Sequence, residues 1–282
     1  MKATKKIVGA ACALVAAVAL SAGSTFAWFS TNGKVTATGM KVTAVVPTDL
    51  SIEQGLVYDI TLINQATVDF GDSANTKTLS PAKLTEETSK EHVKIQVPDT
   101  WTTKPTGATP GKAATYKDIV DESDGSTDTA ATHYLTTLTT TTDGVSEKYV
   151  YVKAMSLVNK GEEGKTLALT ANVKVTWTND DTSHEFLNCA FIVSQNDAAP
   201  SPASAYEDMY QPTTSGLTPA TGAKTASWDV DVMTMDNNKA YQVLFVVYFD
   251  GDNQKCFTNN AQSVDGLNIE ITYQQKVVVA GP

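Results

Sequence analysis

Three histidines, His92, His133 and His184, and no arginine make up a sparse supply of catalytic side chains for a 282-residue chain. The most suggestive run is His184-Glu185-Phe186-Leu187-Asn188. It begins as the His-Glu-x-x-His signature of a zinc protease and ends on an asparagine. Zinc requires both imidazoles on one helical face. Asn188 supplies no imidazole, and the run leads into a strand-like stretch, Phe186–Val193. All three histidines therefore read as surface or packing residues. No Gly-x-Ser-x-Gly elbow occurs, and no glycine-rich loop offers amides to a phosphate. Glu86-Glu87 and Glu162-Glu163 read as solvated acid pairs. Asp121-Glu122-Ser123-Asp124-Gly125-Ser126-Thr127-Asp128 and Asp250-Gly251-Asp252-Asn253 present oxygens that suit calcium, but neither carries the distal glutamate of an EF-hand loop. Ordinary acidic turns are expected, with calcium at one of them as the alternative. No catalytic residue, cofactor or resident metal is expected, and the chain reads as a non-enzyme.

The elements that hold these residues begin with a leader. Lys2, Lys5 and Lys6 precede an uncharged apolar block from Ile7 to Leu20, and small residues follow to Ala27. This is the layout of a signal peptide cut between Ala27 and Trp28. The block has about 14 residues where a membrane-spanning helix needs roughly 20, so no stable span is expected after processing. Removal of three lysines takes the formal charge from −10 to −13. Such acidity excludes a nucleic-acid footprint and suits a secreted protein. Two cysteines remain, Cys189 and Cys256. Export permits a disulfide between them, and two inert buried thiols are the equal alternative. The absence of a Cys-x-x-Cys spacing argues against redox catalysis and a zinc knuckle.

Threonine is about one residue in seven, and its β-branch suits a solvated sheet face. The clearest strand is 167–178, where Leu167, Leu169, Ala171, Val173, Val175 and Trp177 alternate with polar residues. Tyr241–Phe249 is almost wholly apolar, as a strand covered on both faces would be. The alternating stretch 267–274 is its expected partner. Further strands are expected at 34–46, at 50–63 with a bulge at Gly55, at 92–97 ending at Pro98, at 186–193 and at 228–233. A hairpin should turn at Asp143-Gly144 between 134–142 and 145–158. Short helices are expected over 81–87, where proline precedes a glutamate pair, and near 116–120. The whole predicts an all-β, antiparallel sandwich over 47–282 with loop-rich insertions at about 99–132 and 195–225.

The mature N-terminus is the stretch with the strongest claim to a function. Thr25-Phe26-Ala27-Trp28-Phe29-Ser30 and, after a polar gap, Thr36-Ala37-Thr38-Gly39-Met40-Lys41-Val42-Thr43-Ala44 resemble the start of the TasA/camelysin family. A second resemblance lies in Tyr248-Phe249-Asp250-Gly251-Asp252-Asn253-Gln254-Lys255-Cys256-Phe257-Thr258-Asn259-Asn260, a turn followed by a closing strand. Here Asp250 stands for the family's usual glutamate, and Asp252 is one residue short of its usual spacing. The resemblance implies processing by a SipW-type peptidase, a jelly-roll-like sandwich and assembly into fibres of a biofilm matrix. Some camelysin-like members are described as metalloproteases, which Asn188 argues against here. An aromatic-led ribbon beside exposed sheet edges suits donation of a strand to a neighbouring subunit, and head-to-tail donation builds a filament. Residues 28–37, with Trp28, Phe29, Val35 and Ala37, are the expected donor, preceding the first strand that ends at 46. Pairing of the same stretch within its own domain is the alternative. So is a monomeric surface adhesin or carbohydrate-binding sandwich that uses the two insertions. The C-terminus, Val277–Pro282, shows neither a sortase-type signal nor an apolar tail, so an accessory anchor or matrix protein is expected to attach the fibres.

Overall fold

The computed structural model describes residues 40–72, 78–86, 93–101, 113–118, 134–135, 149–178, 183–195, 208–253, 255–256, 262–263 and 266–276. All belong to one unit, Ala37–Pro282. In chain order the early strands are β1 (Lys41–Val45), β2 (Leu50–Gln54), β3 (Thr67–Asp72), β4 (Thr78–Leu79), β5 (Pro81–Glu86) and β6 (Val93–Trp101). Next come β7 (Ala113–Asp118), β8 (Tyr134–Leu135), β9 (Val150–Asn159), β10 (Leu167–Trp177) and β11 (Leu187–Gln195). The last are β12 (Asp208–Tyr210), β13 (Thr225–Met235), β14 (Ala240–Asp250), β15 (Gln262–Ser263) and β16 (Leu267–Gln275).

The period-two pattern of β10 does what alternation dictates. Leu167, Leu169, Ala171, Val173, Val175 and Trp177 are buried, and the intervening residues reach solvent to varying degrees. β10 lies in a five-stranded sheet of order β13-β10-β16-β1-β3. The facing nine-stranded sheet has β14 at its centre, between β11 and β9. The principal core fills the space between the sheets, with Phe191, Val243, Phe245, Val247 and Phe249 from the larger sheet meeting Val173, Ile269, Ile271 and Tyr273 from the smaller. The protein is an all-β sandwich, as expected.

β14 is buried along its length up to Asp250 because it is covered twice. Leu244, Val246 and Tyr248 face away from the main core into a second apolar cluster with Ala82, Leu84, Val93 and Ile95. Those four come from β5 and β6, which join β14 only at its end, where Phe249 and Asp250 pair with Pro81 and Ala82. This requirement corrects the expected helix at 81–87. Ala82 and Leu84 must reach one apolar surface, and only period two puts them on the same side. Proline at the first strand position is tolerated for the same reason that it starts a helix, since its missing N–H is not needed there. The second expected helix, near 116–120, is likewise replaced by β7 as far as Asp118, so the insertion at 99–132 contributes strand to the sheet edge.

Other expectations shift in register or partner. The strand starting at Val93 runs through Pro98, with the ladder slipping between Pro98 and Thr100, the kind of irregularity that accommodates a proline. β2 stops at Gln54, because Gly55 at φ +85° turns the chain out of the ladder. The expected hairpin turn at Asp143-Gly144 lies outside the described residues. Its flanks go to different neighbours, β8 to β6 and β9 to β2 and β14. The stretch 267–274 does not pair with 241–249: β16 lies in the smaller sheet between β10 and β1. The sheets are mainly antiparallel, and β1–β16 and β14–β5 are parallel pairs. β3, β4, β12 and β15 have no counterpart among the expected elements. Among the described residues no helix is long and apolar enough to cross a membrane.

Candidate functional site

The residues with chemical potential converge where β14 ends. Asp250, Gly251 and Asp252 form a turn pinned on both sides: the Asp250 amide donates to Phe186 O at 2.9 Å and the Gly251 amide to Ala82 O at 2.8 Å. Both oxygens of Asp252 are engaged, Oδ1 by the Tyr116 hydroxyl at 2.7 Å and Oδ2 by Lys83 Nζ at 2.8 Å. Lys83 also lies 5.1 Å from the Tyr116 ring centroid. Asp250 Oδ1 accepts the Asp252 amide at 2.9 Å. Asn253 donates its side-chain amide to Glu185 O at 2.9 Å and to Ser215 Oγ at 3.2 Å. One short turn thus joins β5, β7, the start of β11 and the 215–217 loop. These contacts make it a structural joint with its carboxylates in use. Among the described residues no group of three or more histidine, cysteine, aspartate or glutamate side chains is placed to hold a metal ion. The other candidate calcium run, 121–128, lies outside the described residues.

His184 and Asn188 are drawn into the same joint for packing. Ser183–Glu185 is a single 3-10 turn, and β11 begins at Leu187, so residues 184 and 188 share no helical face. The His184 ring stacks on Trp177 at 4.2 Å, 6° from parallel. Asn188 donates its amide to the Tyr248 hydroxyl at 2.9 Å, which also accepts from Gln211 at 3.0 Å. His92 and His133 lie outside the described residues. Cys189 and Cys256 are free and buried, so the unbonded alternative is the arrangement found. Burial raises both thiols well above the usual range, and Asp250 adds to the rise at Cys256. Neither forms a nucleophilic thiolate at neutral pH.

Burial also raises Asp250, partly offset by a hydrogen bond from Ser215. Between the ordinary aspartate range and this raised one, the unfolded chain has lost a proton that the folded chain keeps. Stability conferred by the site is therefore full at low pH and declines as pH rises through that window. Asp250→Asn keeps an acceptor for Ser215 and the Asp252 amide and removes the titration. The expected result is a melting temperature that gains on wild type as the pH goes from 3.5 to 7. Parallel pH profiles would show that Asp250 titrates like a free carboxylate.

The second feature of interest is an edge. β13 pairs with β10 along one side, and among the described residues no strand pairs with its other side. At eleven residues it is much longer than the terminal strands β3, of six, and β12, of three. Trp228, Val230 and Val232 face the core, while Thr225, Ser227, Asp229 and Asp231 face solvent. The ladder shifts between Leu169 and Thr170, leaving Val232 and Met233 both inward, as at a bulge. On the solvent face Asn172 donates to Asp229 at 2.7 Å, and Thr170 to Asp231 at 3.1 Å. Lys276 Nζ is 2.7 Å from Asp231, and its hydrogen bond, with that of Thr170, lowers the Asp231 carboxyl below the usual range. The expected cleavage residues Ala27 and Trp28 and donor residues Trp28, Phe29, Val35 and Ala37 lie outside the described residues.

No family model matches the chain, and no curated protein matches it. Among solved structures it is similar to AvmM, described as catalysing macrocyclization in alchivemycin A biosynthesis. The two are 10% identical, and the alignment covers 47% of this chain and 82% of AvmM at a TM-score of 0.24. A likeness of that size carries no argument about fold or activity.

Proposed function

We propose that the chain is a secreted, non-enzymatic structural subunit that assembles into extracellular filaments, each copy donating residues 28–37 to a sheet of the next. The carrying observation is the eleven-residue edge of β13, whose inward side chains are already buried and whose backbone has one side unpaired among the described residues. Such an edge is a template for another strand. A second observation supports donation between copies. β1 is paired on one side by β16 and on the other by β3, so both of its edges are already taken by described strands. The leader and its cleavage after Ala27 place the product outside the cytoplasm in this reading. Attachment to the cell falls to an accessory anchor or matrix protein. The resemblance to TasA/camelysin proteins agrees with this function and rests on the two sequence stretches alone.

The test is deletion of Trp28–Ala37 from the processed chain. The chain starting at Trp28 should form filaments visible by electron microscopy, and the shortened chain should form none. The shortened protein should remain a monomer with an unchanged far-ultraviolet spectrum and melting temperature. Polymerisation that persists without the segment overturns the proposal.

A further inference from the structure

The free edges of this fold differ in what they accept. Two β13 edges laid side by side in antiparallel fashion would bring the paired acids Asp229 and Asp231 of each copy towards one another. Like charges across a strand pair are destabilising, and charged edge residues are a common guard against self-pairing. The guard is selective, because the two acids are not equivalent. Asp231 is already matched by Lys276. Asp229 is held by the amide of Asn172, and among the described residues no cation lies within ion-pair distance of it. The edge therefore disfavours a second β13 and, among the described residues, leaves the Asp229 carboxylate without a matching cation.

We infer that this edge takes residues 28–37 of a second copy, with Lys34 beside Asp229. The inference rests on the donor-strand reading above and adds the acceptor and the register. Lys34 is the single charged residue in Trp28-Phe29-Ser30-Thr31-Asn32-Gly33-Lys34-Val35-Thr36-Ala37. With Lys34 opposite Asp229 on the solvent face, strand alternation turns its neighbours Gly33 and Val35 inward beside Trp228 and Val230. This holds for a parallel or an antiparallel donor. The same parity turns Phe29, Thr31 and Ala37 inward and leaves Ser30, Asn32 and Thr36, with the terminal Trp28, on the threonine- and asparagine-rich face. A one-residue slip would bury Lys34 and expose Val35, so the pattern specifies register strongly. The exposed ion pair contributes specificity more than affinity.

The experiment is a charge exchange between copies of the processed chain. Lys34→Asp alone sets two acids together, and Asp229→Lys alone sets two lysines together. Each should assemble roughly fivefold more slowly than wild type. An equimolar mixture restores opposite charges at every junction, so its rate should recover to that of wild type as an alternating copolymer. Unchanged rates in the single variants, or no recovery in the mixture, overturn the assignment of β13. The donor reading then survives only if the chain lacking 28–37 still fails to polymerise. Should Asp229→Lys not fold, as judged by its melting curve, Lys34→Cys mixed with Asp229→Cys reads the same register. An intermolecular disulfide between the two variants is expected, and its absence under oxidising conditions overturns the inference.

Discussion

Phe245→Ala should cost about 3–5 kcal/mol of folding free energy, the range for removing a buried aromatic ring. Phe245 has no exposed surface and sits midway along β14, the strand that every layer of the larger sheet leans on. Its ring centroid lies 5.1 Å from that of Phe191 on β11, and Phe191 in turn lies 6.2 Å from Tyr273 of the opposite sheet. The three rings are a bridge between the sheets. Hydrogen-bonded ladders on both sides of β14 hold the backbone, so the walls cannot collapse into the space left behind. Against a total stability of roughly 5–15 kcal/mol for an ordinary domain, this loss removes at least about a fifth of what holds the fold together. Urea denaturation measures it. A loss below about 1.5 kcal/mol would contradict the packing of the two sheets, because a well-filled site cannot absorb a missing ring so cheaply.

Gly216→Ala should be comparably damaging for a different reason. Gly216 has φ +79°, and a methyl group placed there would come 2.1 Å from Glu185 O. The left-handed conformation alone costs an alanine roughly 1–2 kcal/mol. The carbonyl it strikes cannot step aside, since Asn253 holds it at 2.9 Å. Gly216 is itself tied to Leu187 O at 2.8 Å, while its own carbonyl accepts from the Trp228 indole at 3.3 Å. A total of at least about 3 kcal/mol is expected once the clash is added to the strain. Gly222 provides the control, with φ +78° and nothing within 4 Å of an added methyl group. Gly222→Ala should lose only the conformational part. Equal urea midpoints for the two variants would remove the close approach of the 215–217 loop to Glu185.

What the amino acids disclosed and what they concealed divides along a physical line. β10 and β14 were readable because alternation and unbroken apolarity report directly on how many faces are covered. Alternation in Leu267–Gln274 reports a buried face and says nothing about which strand lies alongside, so β16 was placed in the wrong sheet. At Pro81–Glu86 the proline and the acids obey helix-start rules, but the apolar surface of Leu244 and Val246 overrides them. The acidic turn at Asp250–Asp252 was legible as a cluster of oxygens. Its partners were not, because Tyr116 lies 136 positions from Asp252 and no spacing rule links them. Asn188 is the converse case. The sequence disqualified it as a zinc ligand, and the structure gives the amide its occupation at Tyr248.

The parallel contact between β1 and β16 joins the first and last strands among the described residues, Lys41 beside Asn268 and Val45 beside Thr272. Closing that seam brings together residues more than two hundred positions apart, a non-local pairing whose closure entropy must be met before its contacts form. While the polypeptide emerges N-terminus first, β1 has no β16 to lie against until the final segment appears. The smaller sheet is therefore completed last, when β16 slots between β10 and β1, and a chain cut short before Leu267 would leave both of those strands with a bare flank.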